Sequence, residues 1–84
     1  MSDTDTLGLV RKALCEVAPN RAEEFEEVSA DDTIEDLALD SIATMEMVGV
    51  LEDATGKTFP DEELAKVSTI ADLMSLVQHG RLGA

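Results

Sequence analysis

Eighty-four residues allow one domain and leave no room for a second. At 44% hydrophobic and 30% charged the composition is globular, and with two Phe and neither Trp nor Tyr the core must come from Leu, Val, Ile, Met and Ala. A net charge of −13 excludes binders of nucleic acid or anionic lipid, since either polyanion needs a basic footprint.

The first predicted helix runs from Thr4 to Ala18, with Leu7, Val10, Leu14, Val17 and Ala18 on one face and Asp3 or Thr4 as cap. Pro19 and Asn20 end it. A long connection, Asn20 to Asp40, follows with acidic clusters and the apolar residues Phe25, Val28, Ile34 and Leu37. Twenty residues is long for an unstructured loop in a compact domain. These four side chains are therefore expected to pin it, with a short helical turn around Ser29–Asp32. A second helix runs from Ser41 to Ala54 and is closed by Gly56. Phe59 and Pro60 lead into a short third segment, Asp61 to Lys66, with acids in its first turn. A last helix starts at Ser68 or Thr69, where Thr69-x-x-Asp72 has the form of a capping box, and Gly80 is expected to stop it. Residues 1–3 and 80–84 are expected as flexible tails. Nothing alternates with a period of two, so the fold class is all-α.

The single Cys permits no internal disulfide and fits a reducing cytoplasm. The start, MSDTDT, is acidic where a secretory leader would be basic and then apolar, and no apolar run approaches the ~20 residues of a membrane span.

Ordinary catalysis finds few groups to work with. His79 is the only histidine, and no pattern links it to a serine; near a helix end it can interact with the dipole. Cys15 lies off the apolar stripe and reads as an inert thiol. The acidic stretch DDTIEDLALDS lacks the central Gly and the spacing of a calcium loop, and no Gly-rich phosphate loop is present.

The charge is unevenly spread. Between Ala22 and Gly56 lie 12 of the 19 acidic residues and none of the six Lys and Arg. On a helical wheel of the second helix, Thr44, Met47, Val48 and Leu51 share a core-facing sector. Ile42, Met45, Glu46, Gly49, Glu52 and Asp53 share another. Two apolar residues within one turn, ringed by carboxylates, are either tucked beneath the long connection or form a docking patch, and periodicity leaves both open. Ser41 opens the same helix. A serine there is most often an N-cap, but Asp40 can cap equally well and free the hydroxyl. A helix N-terminus also suits an attached phosphate, through its unpaired N–H groups and its dipole.

From about Leu7 to Val77 the chain resembles the acyl carrier protein family. The likeness rests on Asp36-Leu37-Ala38-Leu39-Asp40-Ser41-Ile42, Met45-Glu46-Met47-Val48, Leu51-Glu52-Asp53, Phe59-Pro60-Asp61-Glu62 and Val67-Ser68-Thr69-Ile70-Ala71-Asp72-Leu73. The resemblance implies a four-helix bundle with a short third helix and a long loop between helices 1 and 2. It implies 4′-phosphopantetheine on Ser41, with Asp40 its companion, and a thiol that carries acyl groups as thioesters. It makes Ile42, Met45, Glu46, Glu52 and Asp53 partner-docking positions. Gly49 stands where a larger apolar residue is common, which leaves a notch in the patch, and Ala38 stands where Gly is common. The implied partners are a phosphopantetheinyl transferase and loading or elongating enzymes such as an acyltransferase, a ligase or a ketosynthase. The chain is then expected to be a cytoplasmic monomer and no enzyme, serving fatty-acid, polyketide or related biosynthesis. A peptidyl or aryl carrier is the alternative within the class; a small acidic interaction module without prosthetic group is the alternative outside it.

Overall fold

A computed structural model describes residues 3–79. Three longer helices form the frame: α1 (Asp3–Val17), α3 (Ser41–Thr55) and α5 (Ile70–His79), with α1 packed against both others. Two one-turn helices, α2 (Ala22–Phe25) and α4 (Asp61–Leu64), lie in the connections, beside 3₁₀ turns at Pro19–Arg21 and Glu35–Leu37. Among the described residues there is no strand, only an isolated bridge between Thr33 and Thr69. The architecture is the expected all-α bundle with one addition, α2. The expected stop at Gly80 and the tails at 1–2 and 80–84 lie outside the described residues, and Asp3 is already helical.

The buried face of α1 is rotated from the expected one. It consists of Thr6, Val10, Ala13 and Leu14, while Leu7, Val17 and Ala18 sit half-buried at its margin. Thr6 explains the rotation. Its hydroxyl accepts from Gln78 Nε2 at 3.0 Å, and Gln78 also donates to Asp3 Oδ1 at 2.8 Å. A hydroxyl that is hydrogen-bonded can be buried at little cost, and here it ties the start of α1 to the end of α5. Met47, Val48 and Leu51 of α3 and Ile70, Leu73, Leu76 and Val77 of α5 complete the central core.

The long connection is held as expected by Phe25, Val28 and Leu37, all buried, and by half-buried Ile34. Ser29–Asp32 is a hydrogen-bonded turn rather than helix: Asp32 N–H donates to the Ser29 carbonyl and Ser29 N–H to Asp32 Oδ2. The helical turns stand on either side instead, where they carry the anchors Phe25 and Leu37. The connection also closes the start of α5, because Ile70 and Ala71 N–H donate to the carbonyls of Asp32 and Ala30. That satisfies two of the donors a helix start leaves unpaired.

The capping box at α5 forms. Asp72 N–H donates to Thr69 Oγ1 at 3.1 Å, and Asp72 Oδ2 accepts from Ser68 N–H, Ser68 Oγ and Thr69 N–H. These bonds, that from Ser68 N–H foremost, outweigh burial and hold the Asp72 carboxyl below its ordinary pKa of 3.8. A carboxyl depressed on folding stabilises the fold fully above its unfolded value and loses that contribution as pH falls through the folded one. Asp72→Ala is expected to cost ~1 kcal/mol at neutral pH, as lost caps do. It should also flatten the loss of stability below the ordinary value of 3.8, which urea titrations across pH would measure.

At the far end of α5, where His79 lies in the last turn as expected, Lys57 reaches in as a capping cation. Its ammonium donates to the carbonyls of Val77 and Gln78 at 2.9 and 3.1 Å, where the dipole is negative. Gly56, at φ 70, turns the chain out of α3 in the left-handed conformation expected of it.

Candidate functional site

Asp40 is the N-cap of α3. It is extended (φ −78, ψ 175), and its Oδ1 accepts from Ala43 N–H at 2.7 Å while its carbonyl accepts from Thr44 N–H. The role that Ser41 shared with it on paper is thus taken. Ser41 is exposed, and its hydroxyl has no hydrogen-bond partner among the described residues. The N–H groups of Ser41 and Ile42 belong to the first turn and have no intrahelical acceptor. They face an exposed helix start.

The outward sector of α3 is brought together largely as predicted. Ile42 and Met45 are 71% and 60% exposed, so the long connection does not cover them. Glu46 and Asp53 are exposed on the same helix, Asp53 two turns further along it, where it borders the α1 residues Leu9 and Lys12. At Gly49 the surface is open, and a Cβ built there would meet nothing within 4 Å.

Glu52 departs from the pattern. It is half-buried, and its Oε2 accepts from Phe59 N–H at 2.7 Å. Phe59 is buried, so this bond fixes the chain where it leaves α3 for α4. The Glu52 carboxylate is turned towards its own chain, unlike that of Glu46.

Beside α3 lies an apolar cavity of about 120 Å³, lined by Ile34, Thr44, Met45, Met47, Val48, Leu64, Val67 and Leu73. Of the buried residues Met47, Leu51, Leu73 and Met74, Met47 and Leu73 line it. Leu51 and Met74 do not. Leu64 and Val67, which periodicity passed over, form its wall opposite α3; the legible signal was two apolar residues in a strongly acidic segment. Met45 belongs to both the exposed patch and the cavity lining.

Other groups are accounted for structurally. Cys15 is half-buried with Sγ 4.0 Å from the Ala22 carbonyl. Arg11 donates through Nε and Nη2 to the Val28 carbonyl. Among the described residues no cluster of His, Cys, Asp and Glu is placed to hold a metal ion, and no helix is long and apolar enough to cross a membrane.

The chain is thus a small acidic helical bundle with an apolar cavity beside the helix that Ser41 opens. Residues 8–77 match the family described as "Phosphopantetheine attachment site". The chain is 33% identical over 79 residues to an acyl carrier protein of Rickettsia bellii, covering 93% of this chain and 90% of the relative. An acyl carrier protein of Exiguobacterium is 33% identical over 63 residues, 74% of this chain and 80% of that one. A 3-methylorcinaldehyde synthase of Phoma is 39% identical over 54 residues, 64% of this chain and 2% of the synthase. The chain belongs to the acyl carrier protein family: it is a carrier, and it bears covalently attached 4′-phosphopantetheine.

Proposed function

We propose that Ser41 is the residue that bears the prosthetic group. The observation that supports this most is the division of labour at the start of α3. Asp40 caps the helix through Ala43 N–H at 2.7 Å, leaving the exposed Ser41 hydroxyl with no structural task. The residues present suit a phosphodiester: a hydroxyl to bond it, and the N–H groups of Ser41 and Ile42 with the positive end of a 15-residue helix beside it. The group supplies a thiol that holds acyl chains as thioesters. The protein's own part is to present Ser41, shelter the chain and dock partners.

In this reading Ile42, Met45, Glu46, Gly49 and Asp53 form the docking face. Exposed apolar side chains stand at its centre and carboxylates at its rim, suited to an enzyme with a basic border around an apolar pocket. A phosphopantetheinyl transferase and acyl-loading and elongating enzymes are the partners of this kind. Fatty-acid or polyketide assembly is the setting, the latter supported by the relationship to a 3-methylorcinaldehyde synthase. The chain works as a cytoplasmic monomer and catalyses no step itself.

Incubation with CoA, Mg²⁺ and a phosphopantetheinyl transferase should add one pantetheinyl phosphate to the wild type, read by intact mass. Ser41→Ala should gain none while keeping its helical circular dichroism, because the cap stays with Asp40. Modification of Ser41→Ala would overturn the assignment, and loss of its fold would return Ser41 to a structural role.

A further inference from the structure

The acid-rich stretch from Ala22 to Gly56 contains no Lys or Arg of its own, yet two arginines from outside it bind its backbone, Arg11 at the Val28 carbonyl and Arg21 nearer to Ser41. Arg21 donates from Nη2 to the Leu37 carbonyl at 2.6 Å and from Nε to Glu24 Oε2 at 2.6 Å, and its guanidinium lies 4.9 Å from the centre of the Phe25 ring. The target carbonyl is not an arbitrary one. It belongs to the peptide unit joining Leu37 to Ala38, and Ala38 has φ 54 and ψ 40, the one positive φ outside glycine among the described residues. An L-residue with a Cβ disfavours this left-handed conformation, so something must hold it. The peptide unit that φ of Ala38 rotates is held at both ends, by the Ala38 N–H bond to the Glu35 carbonyl at 3.0 Å and by the charged Arg21 donor on the Leu37 carbonyl. Beyond Ala38 only Leu39 and Asp40 intervene before Ser41.

We propose that Arg21 is a positioning residue for the modification of Ser41: it holds Ala38 left-handed, and so fixes the path by which the chain enters α3 and presents the serine to the transferase. This rests on Ser41 being the attachment residue. Without Arg21, Ala38 would relax towards ordinary backbone conformations, and the conformer the transferase recognises would become a minor one. Apparent affinity falls in proportion to the competent fraction, while the step after binding is untouched. The effect belongs on KM and not on kcat.

The test uses the whole chain with CoA, Mg²⁺ and a phosphopantetheinyl transferase, well below the melting temperature of every variant. Arg21→Gln should raise KM for the carrier about tenfold, the order of the left-handed penalty for an L-residue, with kcat unchanged. The NMR coupling between H–N and Hα of Ala38, which reports φ, should lose its positive-φ value in the same variant. Ala38→Gly should leave KM unchanged in the wild-type background and restore most of it beside Arg21→Gln, because glycine adopts the left-handed region unaided. Glu24→Gln, which removes the ion pair but not the bond to Leu37, should behave as wild type. If Arg21→Gln does not fold, Arg21→Met takes its place, since it keeps an unbranched apolar stem beside Phe25 but has no donor for the Leu37 carbonyl. An unchanged KM, or an Ala38 that stays left-handed without Arg21, would overturn the proposal while the attachment reading stands. A wild type that gains no mass would overturn the attachment reading and this role with it.

Discussion

Glu46→Lys with Asp53→Lys is expected to slow association with a phosphopantetheinyl transferase by about one to two orders of magnitude at low salt. Both carboxylates are exposed on α3, in a stretch that holds no Lys or Arg of its own. Their attraction to a basic rim acts over the screening length of ~8–10 Å at physiological salt, so the wild-type rate should fall as salt rises and approach that of the variant. Met45→Ala, by contrast, should act on dissociation, speeding it about tenfold, because a desolvated apolar anchor holds the complex after encounter. Glu52 must be kept out of the charge reversal. Its carboxylate holds Phe59 N–H at 2.7 Å, so Glu52→Lys would disturb the chain leaving α3 as well as the charge. Glu52→Gln, which keeps an acceptor, is the control and should associate nearly as fast as wild type. Stopped-flow measurements across a salt series decide the matter. A salt-independent rate, with the double variant like wild type, would reduce this face to a solvated surface.

An octanoyl chain on the prosthetic group is expected to raise the melting temperature by about 5–10 °C over the unacylated holo form. Each methylene transferred from water returns ~0.8 kcal/mol, and 1 kcal/mol moves the midpoint of a domain this size by about 4–8 °C. The cavity of about 120 Å³ holds only part of such a chain, so parting Met47, Leu64 and Leu73 offsets some of the gain. Methionine suits a wall that must move, having three rotatable bonds and no branch. Met45 and Met47 methyl resonances should shift on acylation, and Met74, which does not line the cavity, should not. Val67→Phe, reaching into the same space, should blunt the thermal gain. An unchanged midpoint with unmoved Met47 would place the chain in solvent.

How far the sequence carries this account differs by the range of the contact. The capping box at Thr69–Asp72 and the Gly56 stop are local patterns and form as read, and the core sector of α3 forms through Met47, Val48 and Leu51 while Thr44 stays only half-buried. The start of α3 is also local: two adjacent residues could cap, and the geometry assigns the task to Asp40. Thr6 was not legible as core, because its partner Gln78 is 72 positions away. The same holds for Arg21 and the Leu37 carbonyl, 16 positions apart, since no periodicity points an arginine at a backbone oxygen. The wheel grouped Glu52 with Glu46 correctly by angle. It also put Glu52 at the edge of that sector nearest Val48, but it could not supply the partner, because only the path of the chain after Gly56 brings Phe59 N–H within reach.

The central claim is that one serine among several is the attachment point, and mapping the modification tests it most directly. Ser29 and Ser41 lie on the same tryptic peptide, 22–57, which has no internal Lys or Arg, so the peptide must be fragmented to tell them apart. After full modification with CoA and the transferase, fragment ions should place the whole pantetheinyl phosphate on Ser41 and leave Ser2, Ser29, Ser68 and Ser75 bare. The group found on any of those four instead would contradict the account.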